Sequence, residues 1–197
     1  MKKILFIIIC SILYPGNVYL SYDNSSSYKI GQGSNGGGPL IGTSYDFDES
    51  KITIGYNTNP FINKGIYSLS LGLSILTSPL IVPSTAMTPE DEINIASIYF
   101  LSTFEINNQL FIGVPIGYNY FDGKNTVSYN PGGTIWYLDE FKGTLTYGYG
   151  LTYKLNSKLS LSYGKIFNEA AYEGVPLSSA DSNIKIERDS IYLGFYF

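Results

Sequence analysis

Eight runs in which apolar residues recur at every second position, a charged fraction of only 14% and connections that alternate between long and short predict an all-β chain. The architecture they predict is an eight-stranded antiparallel up-and-down transmembrane β-barrel. Period-two alternation places successive side chains on opposite faces of a strand. Ordinary soluble domains carry about 25% charged residues, so this chain has little with which to cover a water-facing surface. Its 19 Tyr and 21 Gly suit pleated strands bordered by amphipathic aromatic rims.

The chain opens with Met1-Lys2-Lys3 and a short apolar run over 4–13, broken only by Cys10 and Ser11. This is the layout of a secretory signal peptide, too short to cross a bilayer. No small-x-small triplet marks the cleavage site; Gly16 and Ser21 bound the expected window, so residues 1–21 are read as the signal. Ile9 is not the small residue that a lipidated Cys10 would need before it. Removing the signal removes the single Cys and takes the basic residues from 12 to 10 against 16 acidic ones, a net charge of −6. That balance argues against a nucleic-acid partner. Residues 22–39, rich in Ser, Gly and Asn, are expected to be a flexible lead-in, with the barrel occupying 40–197.

Within 40–197 the expected strands run in order. The first two, 41–47 and 52–56, are joined by an acidic turn at Asp48-Glu49-Ser50. The third, 65–76, alternates Tyr67, Leu69, Leu71, Leu73 and Ile75 against Ser68, Ser70, Gly72 and Ser74. The fourth and fifth, 93–106 and 110–121, flank Asn107-Asn108-Gln109. A three-residue loop there opposes Phe104 to Ile112 and Phe100 to Ile116, so the apolar sides coincide. The sixth and seventh, 143–155 and 159–167, flank Asn156-Ser157-Lys158, with Tyr153 meeting Leu161 and Leu151 meeting Tyr163. Two residues do not fit the pattern. Pro115 deletes a ladder donor in mid-strand, which a bulge would accommodate. Lys165 falls on the apolar face, which calls for a second bulge or for a membrane segment that ends before it.

Small uncharged residues on the non-apolar face, such as Thr146, Gly148, Gly150 and Thr152, suit the crowded interior of a narrow barrel rather than a water-facing surface. The other face, Leu145, Tyr147, Tyr149, Leu151 and Tyr153, suits lipid with aromatic borders. The last strand, 184–197, ends with Ile191, Leu193, Phe195 and Phe197 on one face and a terminal aromatic. In this it resembles the closing strand of small bacterial outer-membrane barrels of the OmpA and OmpX kind. The resemblance implies a Gram-negative envelope, lipopolysaccharide and outer-membrane lipids as surroundings, assembly machinery that reads the C-terminal strand, and a monomer. It does not select a function, because adhesins, anchors, small pores and a few enzymes share the fold.

The residue most informative about chemistry is one that is missing: there is no His. Barrel acyltransferases, deacylases, phospholipases and proteases resemble one another in needing a His as base or proton carrier, so a non-enzymatic protein is expected. The Gly-rich stretch 31–38 lacks the Lys-Ser/Thr and the helix of a nucleotide loop. The acidic clusters at 46–49, 90–92 and 139–140 lack calcium-loop spacing. No metal or cofactor is therefore expected. The leading expectation is a protein acting through surface loops or envelope structure; a narrow pore and a secreted soluble ligand-binding barrel are the alternatives. Ile135, Trp136, Tyr137 and Leu138 form a candidate contact patch in an outer loop, or else part of the outer aromatic belt. By parity, Arg188 should point inward near the outer end and meet Asp46 or Asp48, while Glu105 and Lys154 form a second interior pair at the opposite end.

Overall fold

The computed structural model describes residues 15–32, 44–47, 50–82, 91–124, 128–129, 135–136, 141–172 and 182–197. Among these residues thirteen strands follow one another: β1 Gly16–Gln32, β2 Ser44–Asp46, β3 Ile52–Thr58, β4 Ile62–Lys64, β5 Tyr67–Leu76, β6 Leu80–Val82, β7 Asp91–Asn107, β8 Leu110–Lys124, β9 Ser128–Tyr129, β10 Ile135–Trp136, β11 Phe141–Lys154, β12 Leu159–Tyr172 and β13 Ser182–Tyr196. Each barrel stave pairs antiparallel with its neighbours, β1 with β13 at one seam and β5 with β7 at another, so the sheet closes on itself. The staves are β1, β2 with β3, β5, β7, β8, β11, β12 and β13, eight in all.

The first part of the expected lead-in is corrected by β1, while residues 33–39 lie outside the described residues. Residues 22–32 are not a flexible segment but the outer half of the first stave, which begins at Gly16 and pairs with both β3 and β13. Its Ser-rich sequence shows little alternation, and its neighbours supply the ladder instead. The first two expected strands are also corrected. Ser44–Asp46 and Ile52–Thr58 both pair with β1, Asp46 opposite Ser27 and Ile52 opposite Tyr22, so they are one stave with one extra residue between them. No hairpin separates them.

This reassignment removes the one short outer connection in the expected pattern. The links at one end of the barrel are tight: residues 59–66, 108–109 and 155–158. At the other end β1 and β2 are joined through 33–43, β5 and β7 through 77–90, β8 and β11 through 125–140, and β12 and β13 through 173–181. Both hairpin registers agree with expectation in the strands, Phe104 facing Ile112 and Leu151 facing Tyr163. At the first of them, though, the turn closes on Asn107 and Leu110. Ile106 is bulged out, and Asn107 Oδ1 accepts the N–H groups of Gln109 and Leu110, both at 2.9 Å. A two-residue turn with one bulged residue gives the same register as a three-residue loop.

Pro115 is accommodated without the expected bulge. The β8 to β11 offset is the same on both sides of it, Tyr147 opposite Ile116 and Gly150 opposite Gly113, but the intervening pairs are missing. The ladder simply opens on the β11 side, where the prolyl nitrogen has no hydrogen to give.

Polarity inverts along the barrel axis. Around the tight-turn half, large apolar side chains face outward: Leu20, Ile98, Phe100, Phe104, Ile116, Leu151, Leu161, Ile191, Leu193, Phe195 and Phe197 are all exposed. Exposed Tyr22, Tyr118, Tyr120, Tyr149 and Tyr163 border this belt. So large an apolar surface suits lipid, and its tyrosines suit the lipid–water boundary. Toward the long-loop end the same alternation carries the opposite chemistry. Phe47, Leu76, Leu80, Ile93, Ile95, Phe121, Phe141, Ala170, Ile184 and Ile186 turn inward as one buried cluster, while Lys185, Glu187 and Asp189 turn outward.

Candidate functional site

Where the two polarity regimes meet, the interior holds a polar network centred on Arg188. β13 delivers Arg188 and Ser190 to the lumen, β1 delivers Asp23, β3 Thr53 and β12 Asn168. Arg188 Nη1 lies 3.5 Å from Asp23 Oδ2, with both side chains essentially buried. Nη1 also donates to Thr53 Oγ1 at 2.9 Å, and Nη2 to Asn168 Oδ1 at 3.3 Å. Ser190 Oγ donates to the other carboxylate oxygen of Asp23 at 2.7 Å. Asn168 Nδ2 continues the network to Thr146 Oγ1 at 3.0 Å and Ser97 Oγ at 3.3 Å. Through Asn168 the network around this charge pair thus joins six of the eight staves, β1, β3, β7, β11, β12 and β13. In a low-dielectric interior such satisfaction is what makes buried charges tolerable.

Arg188 therefore points inward, but its carboxylate partner differs from the expected ones. Asp46 is exposed, because odd positions of its stave, Phe47, Thr53 and Asn57, take the inward face. Asp48 lies outside the described residues. Asp23 was placed in the lead-in and so escaped the parity argument. The signal that identifies it is the outward pair Leu20 and Tyr22 alternating with Tyr19, Ser21 and Asp23.

Glu105 and Lys154 form no ion pair among the described residues. The Lys154 ammonium instead lies over the Phe111 ring at 4.4 Å from its centroid and over Tyr196 at 5.5 Å. Ile191, Leu193, Phe195 and Phe197 share the exposed outward face of β13. Ile135 and Trp136 form β10, paired with Ser128 and Tyr129 of β9 in a separate two-stranded sheet between β8 and β11 in the chain; Tyr137 and Leu138 lie outside the described residues.

Lys165 needs no bulge in its own strand, since β12 keeps one register with β13 throughout. It sits just above the aromatic border, 3.3 Å from Asp189 and 3.7 Å from Glu187. Nearby Lys185 lies over Phe167 at 4.4 Å. A hydrogen bond with the Tyr147 phenol, against the opposing effect of burial, raises the Lys185 ammonium above its ordinary value.

Below Arg188 the lumen is not filled by side chains. A chamber of about 350 Å³ runs from Arg188 and Thr53 down to Lys154, Phe111 and Tyr196 at the tight-turn end. Tyr19 and Tyr99 share a hydrogen bond of 2.8 Å across it, and Tyr99 donates to Asn57 Oδ1 at 3.0 Å. Inward Gly and Ser, which suited a crowded interior in the sequence, leave this space open. Above Arg188 the apolar cluster fills the cross-section. Among the described residues the chamber ends at Arg188 and is blind on that side.

No family model matches the chain, and no curated protein matches its sequence. Among solved structures it is similar to Ail, the attachment invasion locus protein of Yersinia pestis, at 11% identity over 93% of this chain and 99% of that one, with a TM-score of 0.50. Neisserial surface protein A aligns at 13% identity over 91% and 97%, TM-score 0.47. Outer membrane protein W of E. coli aligns at 13% over 93% and 99%, TM-score 0.44. With eight staves closed in a ring, an apolar belt and the likeness to Ail, the chain has the fold of the small eight-stranded outer-membrane β-barrels.

Proposed function

We propose that this is a non-enzymatic protein of the bacterial outer membrane, exported by an N-terminal signal peptide, which acts through its outer loops or as an element of envelope structure. The observation that carries this reading is the sealed outer half of the barrel. Arg188, its partners and the apolar cluster above them occupy the interior among the described residues, which leaves a solute entering the lumen no polar path past them there. An eight-stranded barrel has little room to spare for one. What remains available to partners is the outer end, where the long connections emerge and where the β9–β10 hairpin carries Trp136. Outer-membrane lipids and lipopolysaccharide meet the apolar belt and the Lys165 and Lys185 cluster above it. The assembly machinery reads the outward face of β13. Ail has been crystallised with a heparin analogue, which supports looking for an anionic polysaccharide among loop ligands.

The sequence holds no His to serve as base or proton carrier. Two measurements test the proposal. Cell fractionation should recover the protein only with detergent, and recovery in a soluble fraction would overturn the membrane assignment. Refolded protein in planar bilayers should show no stable unit conductance. Large, steady openings would replace the reading with that of a pore.

A further inference from the structure

We propose that the blind chamber is a binding site for a small, hydroxyl-bearing oxyanion that enters from the tight-turn end. Eight-stranded barrels either fill their lumen with side chains or hold one small ligand in it. This one follows the second course, since the chamber of about 350 Å³ falls within the range of small-molecule pockets.

Its chemistry selects the class of ligand. Among the described residues, the charged side chains lining the chamber are Arg188 at its closed end and Lys154 at its mouth, both cationic. Asp23 contacts Arg188 without itself lining the space. Arg188 is 4% exposed, and its Nε finds no acceptor among the described residues even though both terminal nitrogens are engaged. A buried charged donor left in this state is costly. Lys154 has aromatic rings beneath it but no carboxylate within ion-pair distance among the described residues. Between these two cations the walls offer hydroxyls and amides, including Thr53, Asn57 and Tyr99, together with tyrosine ring faces. A cation at either end to meet one oxyanion, and hydroxyl groups along the wall between, describe a sugar phosphate or a hydroxy acid. That the mouth faces the periplasm rests on the outer-membrane reading above; the binding itself does not.

Because Arg188 is the only Arg in the chain, protein labelled with 15N-arginine gives a single Nε–H resonance at the end of the chamber. The full chain refolded in micelles would be titrated with glucose 6-phosphate, inorganic phosphate and glucose. The expected result is a saturable shift of that resonance with glucose 6-phosphate, a weaker saturable shift with phosphate, and none with glucose. Lys154→Gln should weaken the glucose 6-phosphate response about tenfold. No shift with any probe overturns the proposal, as does a non-saturating drift equal in both proteins, which would mean an adventitious ion only. Glucose acting as well as its phosphate overturns the oxyanion class. If Lys154→Gln fails to fold, the comparison among the three probes on the unaltered protein still decides. Both this test and its failure stand apart from loop function, which conductance and fractionation address.

Discussion

Arg188 and Asp23 face each other across the seam where the last stave meets the first, 3.5 Å apart and almost wholly screened from solvent. Ser190, two residues along β13, holds the second oxygen of the same carboxylate. Closure of the barrel and neutralisation of its buried charge are thus the same contact. Replacing either partner alone, Arg188→Met or Asp23→Leu, should lower unfolding stability by about 3–5 kcal/mol, because the other charge remains buried. The double variant should recover a large part of the loss. Urea unfolding of the refolded proteins would show this as non-additivity, and simple additivity would mean that the pair is not coupled.

Phe197 is exposed on the outward face of β13 at the tight-turn rim and adds little to internal packing. Its deletion, or Phe197→Asp, should reduce the amount of protein reaching the outer membrane while leaving the stability of folded protein within about 0.5 kcal/mol. Membrane levels at ordinary expression, set beside unfolding of the refolded variant, would separate the two effects. Unchanged levels would count against an assembly role.

The apolar cluster makes its own demand on stability. Phe141 is 1% exposed and packs against Phe121 with ring centroids 6.4 Å apart. Phe141→Ala should cost about 3–5 kcal/mol through lost burial and the cavity left behind. Thermal or urea unfolding would measure it, and a loss below 1 kcal/mol would mean that the outer half does not unfold with the rest.

The Lys165 cluster should matter far less. Its side chain and that of Asp189 are both about a quarter exposed, and surface pairs of this kind contribute about 0–1 kcal/mol. Lys165→Gln should therefore leave unfolding nearly unchanged and, if these lysines meet lipid phosphates, should weaken retention on anionic vesicles in a salt-dependent way.

Processing of the chain offers a further check. Gly16–Ser21 pair on one side with β3 and on the other with β13, so cleavage as late as Ser21 would strip both neighbours of their partner at the tight-turn end. Mass spectrometry of protein from the outer membrane should find the N-terminus at or before Gly16. A chain beginning at residue 22 should not acquire the heat-resistant compact form of a closed barrel on refolding.

The sequence by itself determined the parts of this protein that depend on one strand and its nearest turn. Alternation set the outward faces of β5, β7, β8, β11, β12 and β13, because the side-chain period of a strand is a local property. Matching apolar sides across a tight turn set the two hairpin registers, since a slip of one residue would have turned each face inside out. Parity counted from Phe197 sent Arg188 inward. What only the tertiary structure decided are the features that depend on two neighbours at once. β1 carries too many Ser and Asn to declare itself; it is a strand because β3 and β13 both offer it a ladder. Asp23, Thr53 and Asn168 meet Arg188 only when the ring closes. The inversion from apolar-out to apolar-in keeps the period of two and shifts only its phase, Ile184 and Ile186 on one parity and Ile191 and Leu193 on the other, so period alone is blind to it. The solvent outside each half of the barrel, lipid around one and water around the other, decides which face is buried.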